Sequence, residues 1–252
     1  MVDKIKNIEL PLRLIGPFAQ VITMAGLPLK GAIKEQALEI IGAGGVVVSG
    51  TKIMHIGVYS ELKALYPNID KTIIETPQVL LPGFVDAHTH ICFAGSRAMD
   101  YAMRLEGKTY LEIAEAGGGI METVTATRKA SQQELTNSVH ERLELMLRSG
   151  VTTTEIKTGY GLSIGAELKL LDVIQQVAVT AVLDIIPTCL AAHIKPADFK
   201  GDEQAYLALL ATKLFPEMLK KRRCKRVDIF VEKSAFSVAD ARRYLSKAKQ
   251  LG

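Results

Sequence analysis

The sequence predicts an α/β protein in two parts, a small β-rich part over residues 1–80 and about four strand–helix units over residues 81–252. Two observations support this prediction. Up to about residue 78, short apolar bursts are separated by glycines, a pattern typical of strands in a small sheet or sandwich. From residue 81 onward, apolar strand-like segments alternate with segments of helical periodicity, which indicates a parallel sheet covered by helices.

Two apolar bursts in the first part favour a hairpin. Residues 42–48 and 53–57 flank the dipeptide Ser49-Gly50, which is typical of a turn. Residues 60–66 follow with enough helical character for one or two turns.

The second part begins with a predicted strand over residues 84–90. Ser131 and Glu134 have the spacing of a capping box, so a helix is expected to begin there and to end at Gly150. The other expected elements are strands over 151–156, 182–186 and 227–231 and helices over 166–179, 202–219 and 237–251, with Pro187 ending the second of these strands and Pro216 bending the last turn of the second helix.

The number of strand–helix units leaves two architectures open. A closed (β/α)₈ barrel needs eight units, so four units make either an open sheet or about half of a barrel. The inner face of such a sheet has no opposite wall. We therefore expect apolar residues such as Val85, Ile156 and Ile185 to meet water.

Composition and charge exclude several classes of protein. Hydrophobic residues make up 48% of the 252 residues and charged residues 23%, which excludes a disordered chain. The net charge is +4, but 6 of the 31 basic residues lie in residues 220–226. A general polyanion-binding surface is therefore not expected. The basic run favours a solvated helix end over nucleic-acid binding, because no aromatic residues are interleaved with it.

The cysteines and the apolar runs define the expected compartment. Cys92, Cys189 and Cys224 lie far apart, which does not support a disulfide framework or a cysteine zinc site. The N-terminus lacks the pattern of a secretory signal, and no apolar run approaches the roughly 20 residues needed to span a bilayer. We expect a cytoplasmic protein without membrane association.

The densest chemical signal is the pair His88 and His90. Histidines at i and i+2 on a strand point to the same side, and two imidazoles placed in this way can bind one divalent metal. The alternative is a pair of loop histidines without a ligand. The preceding strand, the Pro82-Gly83 turn and Asp86 favour the metal site.

A family resemblance rests on longer motifs. The segment PGFVDAHTH at 82–90 resembles the first-strand motif of the amidohydrolase superfamily. The segments FAGSR at 93–97, AGGGI at 116–120 and EIKTGYGL at 155–162, together with TYLEI at 109–113, make the chain similar to the N-terminal part of imidazolonepropionase. The resemblance implies a (β/α)₈ TIM-like metal-dependent hydrolase barrel, here its first four units over 81–252, preceded by part of a small β-sandwich domain over 1–80.

The same resemblance implies a function and a site. The family hydrolyses the cyclic C–N bond of 4-imidazolone-5-propanoate to N-formimidoyl-L-glutamate in histidine degradation, and it uses one zinc or iron ion. His88 and His90 correspond to metal ligands. Arg97, Tyr160 and His193 correspond to substrate-binding residues, with Arg97 holding the carboxylate. The implied partners are the small-molecule substrate and a second copy in a homodimer, without nucleic acid.

Two alternatives remain open at this point. The family places a further metal-ligating histidine and aspartate on its fifth and eighth strands, which correspond to positions beyond Gly252. A catalytically incompetent fragment or pseudoenzyme is therefore one alternative. Another is a different cyclic amidase of the superfamily, many of which use a carboxylated lysine on the fourth strand. Here Glu232 ends that strand before Lys233, which disfavours a bridged two-metal site.

Overall fold

The computed structural model describes residues 10–220 and 224–252. The chain divides into two compact units, with the division after Pro82. None of the helices in the described ranges combines the length and hydrophobicity needed to cross a bilayer.

The first unit is built on a five-stranded sheet. Its strands are β1 (Leu12–Ile22), β2 (Ile40–Ser49), β3 (Lys52–Val58), β4 (Asp70–Ile73) and β5 (Val79–Leu80), and helix α1 spans Tyr59–Leu65. The sheet order is β3-β2-β1-β4, and β5 also pairs with β1. The predicted hairpin is confirmed as the antiparallel pair β2–β3, which turns at Gly50 with φ of 56°.

The second unit contains four parallel strands in the order β6-β7-β8-β9. Each strand is followed by helical structure, so the expectation of four strand–helix units is confirmed. The strands are β6 (Phe84–Thr89), β7 (Val151–Lys157), β8 (Asp184–Ala192) and β9 (Val227–Ile229). The helices are α2 (Ala98–Leu105), α3 (Tyr110–Glu115), α4 (Ile120–Lys129), α5 (Gln132–Arg148), α6 (Ile164–Thr180), α7 (Glu203–Leu209), α8 (Phe215–Lys220) and α9 (Val238–Gln250).

Helix α5 begins and ends where the sequence predicts. The Ser131 hydroxyl accepts the Glu134 N–H, and the Glu134 carboxylate accepts the Ser131 N–H, which completes the capping box. Gly150 follows the helix with φ of 87°, a conformation that glycine adopts without strain. Leu135, Val139 and other apolar residues at helical spacing are buried against β7 and α6.

Strand β8 departs from the prediction. It spans Asp184–Ala192 and runs through Pro187, whereas we expected Pro187 to end it. The backbone of Cys189 donates to the Arg226 carbonyl, so alternate residues of β8, including Pro187, face the β9 side. The pairing of β8 with β9 begins only at Cys189, opposite Val227. No residue of β9 lies opposite Pro187, so its missing N–H costs the sheet no hydrogen bond.

The helix over 203–220 is also less regular than expected. Helices α7 and α8 are joined by a π-helical segment, Leu210–Leu214, whereas we expected a regular helix bent only in its last turn. Pro216 cannot donate to the carbonyl four residues earlier, and its ring crowds that carbonyl. Widening the preceding turn to the π pattern accommodates the proline while Leu210 and Leu214 stay buried.

The inner face of the parallel sheet is more polar than we expected. Val85 is 68% exposed, as predicted, but Ile156 is fully buried and Ile185 is half-buried. The prediction was wrong for Ile156 because its side chain packs among α5 and α6. The neighbouring residues of β7, Glu155 and Lys157, make contacts along the opposite, polar face.

Candidate functional site

The ends of three parallel strands bring four ring-bearing side chains together. His88 and His90 stand at the end of β6, Tyr160 follows β7, and His193 follows β8 directly. The ring centroid of His90 lies 5.1 Å from that of His88, 5.7 Å from that of Tyr160 and 5.3 Å from that of His193. Because carboxyl ends of parallel strands share one edge, motifs separated by more than 100 residues meet there.

The two histidines of β6 point toward each other. Their Nε2 atoms are 3.2 Å apart, so both lone pairs can converge on one small ligand. The Asp86 carboxylate accepts the His88 N–H at 3.3 Å, and the Thr89 hydroxyl donates to the Glu155 carbonyl at 2.5 Å. The second of these bonds holds the end of β6 against β7.

The cluster favours neutral imidazoles. Burial lowers the pKa of His90 to about 4, and the nearby His193, His88 and Lys157 act in the same direction. Burial also lowers the pKa of His193. His90 Nδ1 is buried and has no hydrogen-bond partner of good geometry among the described residues. The nearby backbone of Thr158 raises the pKa of His90 and so partly offsets the effect of burial. Neutral imidazole is the form that binds metals.

Arg97 lies beside Tyr160 and forms an ion pair with Asp100. The Asp100 carboxylate accepts the Arg97 Nε–H at 3.0 Å and the Gly119 N–H at 2.9 Å. Burial raises the pKa of Tyr160, and the charge and hydrogen bond of Arg97 oppose that shift, which places the guanidinium next to the phenol. The bond to Asp100 uses the Nε of Arg97, and a guanidinium can bind a carboxylate through its terminal nitrogens.

All five residues predicted for the site therefore lie together: His88, His90, Tyr160 and His193 as a cluster of rings, and Arg97 at its margin next to Tyr160. Their roles remain predictions.

Comparison with curated proteins identifies the family. No family model matches the chain. An imidazolonepropionase of Symbiobacterium thermophilum is 42% identical over 236 residues, covering 92% of this chain and 55% of the relative. One of Herpetosiphon aurantiacus is 39% identical over 247 residues, covering 95% and 57%. Over the part that it covers, the chain belongs to the imidazolonepropionase family. The chain spans about half the length of the curated relatives it matches.

Solved structures bear on the fold alone. The chain is similar to E. coli guanine deaminase, with a TM-score of 0.57 and 15% identity over 96% of this chain and 50% of that chain. It is equally similar to a triazine hydrolase variant, with a TM-score of 0.57 and 12% identity over 94% and 51%. The fold prediction is confirmed: the second unit has an α/β fold with a partial, TIM-like barrel.

Behind the imidazolonepropionase motifs lies a polar network on the inner face. Lys157 is almost fully buried and lies between Glu155, at 2.9 Å, and Asp228 of β9, at 2.8 Å. The Thr188 hydroxyl donates to Glu155 at 2.6 Å. Although burial lowers the pKa of Lys157, its bonds to Asp228 and Glu155 keep it above the usual value. Strand β9 contains no lysine, so the alternative with a carboxylated lysine gains no support.

Sequence reasoning missed several residues that shape this site. Asp100, which fixes Arg97, and Glu167, which is fully buried behind Tyr160, were both unremarked. A usable signal existed for Glu167, because a carboxylate one turn into an apolar helix directly after a Gly-Tyr-Gly segment is well placed to bind free amides. Arg142, which donates to the Ile91 and Phe93 carbonyls, had no such signal.

Part of the basic run lies outside the residues that the structure describes. Residues 221–223 lie outside the described residues, and the interpretation of this run as a solvated helix end stays a prediction. Within the run, Cys224 is buried and its thiol donates to the Pro187 carbonyl.

Proposed function

We propose that this chain carries the substrate-binding half of an enzyme that hydrolyses the cyclic C–N bond of 4-imidazolone-5-propanoate to N-formimidoyl-L-glutamate. One observation carries the proposal. Three residues that correspond to site residues of the imidazolonepropionase family, and that are distant in sequence, meet at the carboxyl edge of the sheet: the ring centroids of His90, Tyr160 and His193 lie within 6 Å of one another.

The pair His88 and His90 can supply two ligands to one divalent metal ion. Two Nε2 atoms converge, and low basicity keeps His90 neutral. Imidazole suits zinc and ferrous iron alike, so metal analysis of the purified protein distinguishes them. When bound, such an ion supplies polarisation of a carbonyl and activation of water. His88 and His90 are the residues that would hold it.

The remaining residues suit a small anionic heterocycle. The Arg97 guanidinium, with the Tyr160 hydroxyl beside it, suits the propanoate carboxylate. His193 Nδ1 lies 3.1 Å from the Gly159 carbonyl, which can only accept, so Nδ1 carries the proton and Nε2 presents its lone pair to the site. Tyr160 and Phe93, with ring centroids 5.9 Å apart, form an aromatic wall for the flat ring.

A second candidate is a fragment without activity of its own. Within residues 10–220 and 224–252, no group of three or more histidine, cysteine or acidic side chains is placed to hold a metal ion. Zinc catalysis ordinarily uses about three protein ligands. The two candidates differ in whether segments beyond this chain complete the metal site.

The test is a fusion. The chain is joined to the part of the Symbiobacterium thermophilum relative that follows the matched region, and ring opening is followed by loss of the imidazolone absorbance. We expect formimidoyl-glutamate from the fusion and none from the fusion carrying His88→Ala. A well-folded, metal-loaded fusion without turnover would contradict the proposed function.

A further inference from the structure

A fully buried carboxylate lies behind the site. Glu167, in the first turn of α6, has no exposed surface. Its Oε1 accepts the N–H groups of Gly161 at 2.8 Å and Leu162 at 2.7 Å, and its Oε2 accepts the Gly159 N–H at 3.2 Å. Burial raises the pKa of Glu167, while the Thr158 hydroxyl and these three amides oppose the shift. The carboxylate thus binds the amides on both sides of Tyr160.

The same loop is held from its carbonyl side. Arg128 of α4 donates from Nε to the Gly161 carbonyl at 2.6 Å and from Nη2 to the Leu162 carbonyl at 2.9 Å. Its third contact is an ion pair with Asp198 at 2.6 Å. We name residues 159–162 the clamped loop, because Glu167 binds its amides and Arg128 binds its carbonyls.

The clamped loop has a backbone that few residues tolerate. Gly159 has φ of 111° and Leu162 has φ of 47°, both in the left-handed region. A Cβ at Gly161 would lie 2.7 Å from the Glu167 N and 2.8 Å from its Oε1. The loop therefore depends on external hydrogen bonds for its shape, and it sits directly against the carboxylate.

Both ring residues after β7 and β8 depend on this loop. Tyr160 is part of it, and His193 donates from Nδ1 to the Gly159 carbonyl. We propose that Glu167 is a positioning residue, which fixes the Tyr160 ring and the tautomer and orientation of His193 through the clamped loop. That Tyr160 and His193 contact substrate rests on the proposed function, whereas the effect of Glu167 on their placement does not.

The ionised form of Glu167 is what the geometry requires. Both oxygens accept amide N–H groups, so a glutamine at this position must direct its NH₂ at one or more amide donors, whichever way it is oriented. In Glu167→Gln the carbonyl of Gly159 consequently shifts, and His193 loses its fixed acceptor. A glutamine changes the volume little, so the core around α6 is kept.

The test reads the tautomer of His193 by long-range ¹H–¹⁵N NMR of the 252-residue chain without metal. The wild type is expected to show His193 only as the Nδ1–H form, and Glu167→Gln is expected to show a measurable Nε2–H population. Glu134→Gln is the matched control, because the Glu134 carboxylate also accepts a backbone N–H at a helix start, together with the Ser131 hydroxyl, but is remote from the loop. It should alter stability and leave the His193 spectrum unchanged.

The wild-type spectrum alone can overturn the proposal, since a predominant Nε2–H form of His193 contradicts it. So does an unchanged spectrum in folded Glu167→Gln. Should that variant fail to fold, Gly161→Ala pushes the loop off the carboxylate while leaving Glu167 intact, and the same tautomer change is expected.

In the active fusion, Glu167→Gln should also lower kcat/KM on the order of 10²-fold, the effect of a misplacement of about 1 Å. An inactive wild-type fusion would count against the proposed function only, because the tautomer measurement stands without turnover.

Discussion

The predicted chemistry of this chain depends on two imidazole nitrogens that point toward the same place. His88 and His90 share one side of β6, and their Nε2 atoms are 3.2 Å apart. Burial lowers the pKa of His90 to about 4, and the neighbouring His193 and His88 act in the same direction. A cation that binds both nitrogens relieves the crowding of their lone pairs.

Removing the imidazole of His88 or of His90 should abolish metal binding. We expect His88→Ala and His90→Ala each to lower both the metal content and the ring-opening rate of the fusion. Each substitution removes one of the proposed metal ligands, so the affinity for the metal should fall. His140→Ala is the control, since His140 lies on α5 and its Nε2 lies 3.4 Å from the Thr180 hydroxyl. Metal analysis and turnover on the same samples decide the matter. Full metal content and normal rate in the double variant would show that these histidines are not ligands.

Arg97 should act on substrate binding more than on chemistry. Losing a charge-assisted contact costs roughly 1.5–3 kcal/mol, so Arg97→Ala is expected to lower kcat/KM in the fusion about tenfold or more. The loss should appear in KM, and an analogue without the carboxylate should be insensitive. Arg104→Ala removes the same charge one to two turns further along α2 and serves as the matched control. Equal losses for both substrates would place Arg97 in another role.

At the scale of elements, caps define where helices begin. The Ser131 hydroxyl accepts the Glu134 N–H at the start of α5, and three apolar residues of that helix are buried in the core.

Ser131→Ala should therefore destabilise the chain by about 1 kcal/mol. Ser138→Ala, in the interior of the same helix, should change the free energy of unfolding by a few tenths of a kcal/mol or less, in the stabilising direction. Urea denaturation of both variants provides the measurement. Equal midpoints for the two variants would mean that the capping box contributes nothing to stability.

At the scale of the molecule, the open parallel sheet dominates. In the part of the chain that is described, β6 and β9 are edge strands, and Val85 on β6 is 68% exposed. Each large apolar side chain left in water forfeits roughly 1.5–3 kcal/mol, against a domain stability of about 5–15 kcal/mol. Edge strands with exposed apolar residues pair with other chains.

We therefore expect the isolated chain to sediment as a dimer or larger species. Val85→Lys should shift it toward the monomer, because a charge on an edge strand opposes pairing. Val182→Lys is the matched control, since Val182 is 83% exposed but lies in the connection before β8. A wild-type chain that sediments as a monomer at all concentrations would contradict this expectation.

The isolated chain should also hold zinc weakly and release no formimidoyl-glutamate. Two imidazoles on one strand provide fewer than the roughly three protein ligands of a catalytic zinc site. Zinc titration and the ring-opening assay on the 252-residue chain test this. Tightly held zinc with normal turnover would show that the chain completes the site by itself.

Local interactions let the sequence alone determine much of this protein. The capping box at Ser131, the glycine stop at Gly150 and the alternation of strand and helix depend on neighbours a few residues away, and all are present. The His-x-His spacing on a strand and the imidazolonepropionase motifs likewise indicated which residues would meet, because the carboxyl ends of parallel strands share one edge.

Only the tertiary structure decided the rest, because it depends on pairings between distant segments. Pro187 lies inside β8 since β9 begins beyond it, and Ile156 is buried since α5 and α6 cover its side of the sheet. Register and helix placement are long-range properties, and no local pattern at Pro187 or Ile156 contains them.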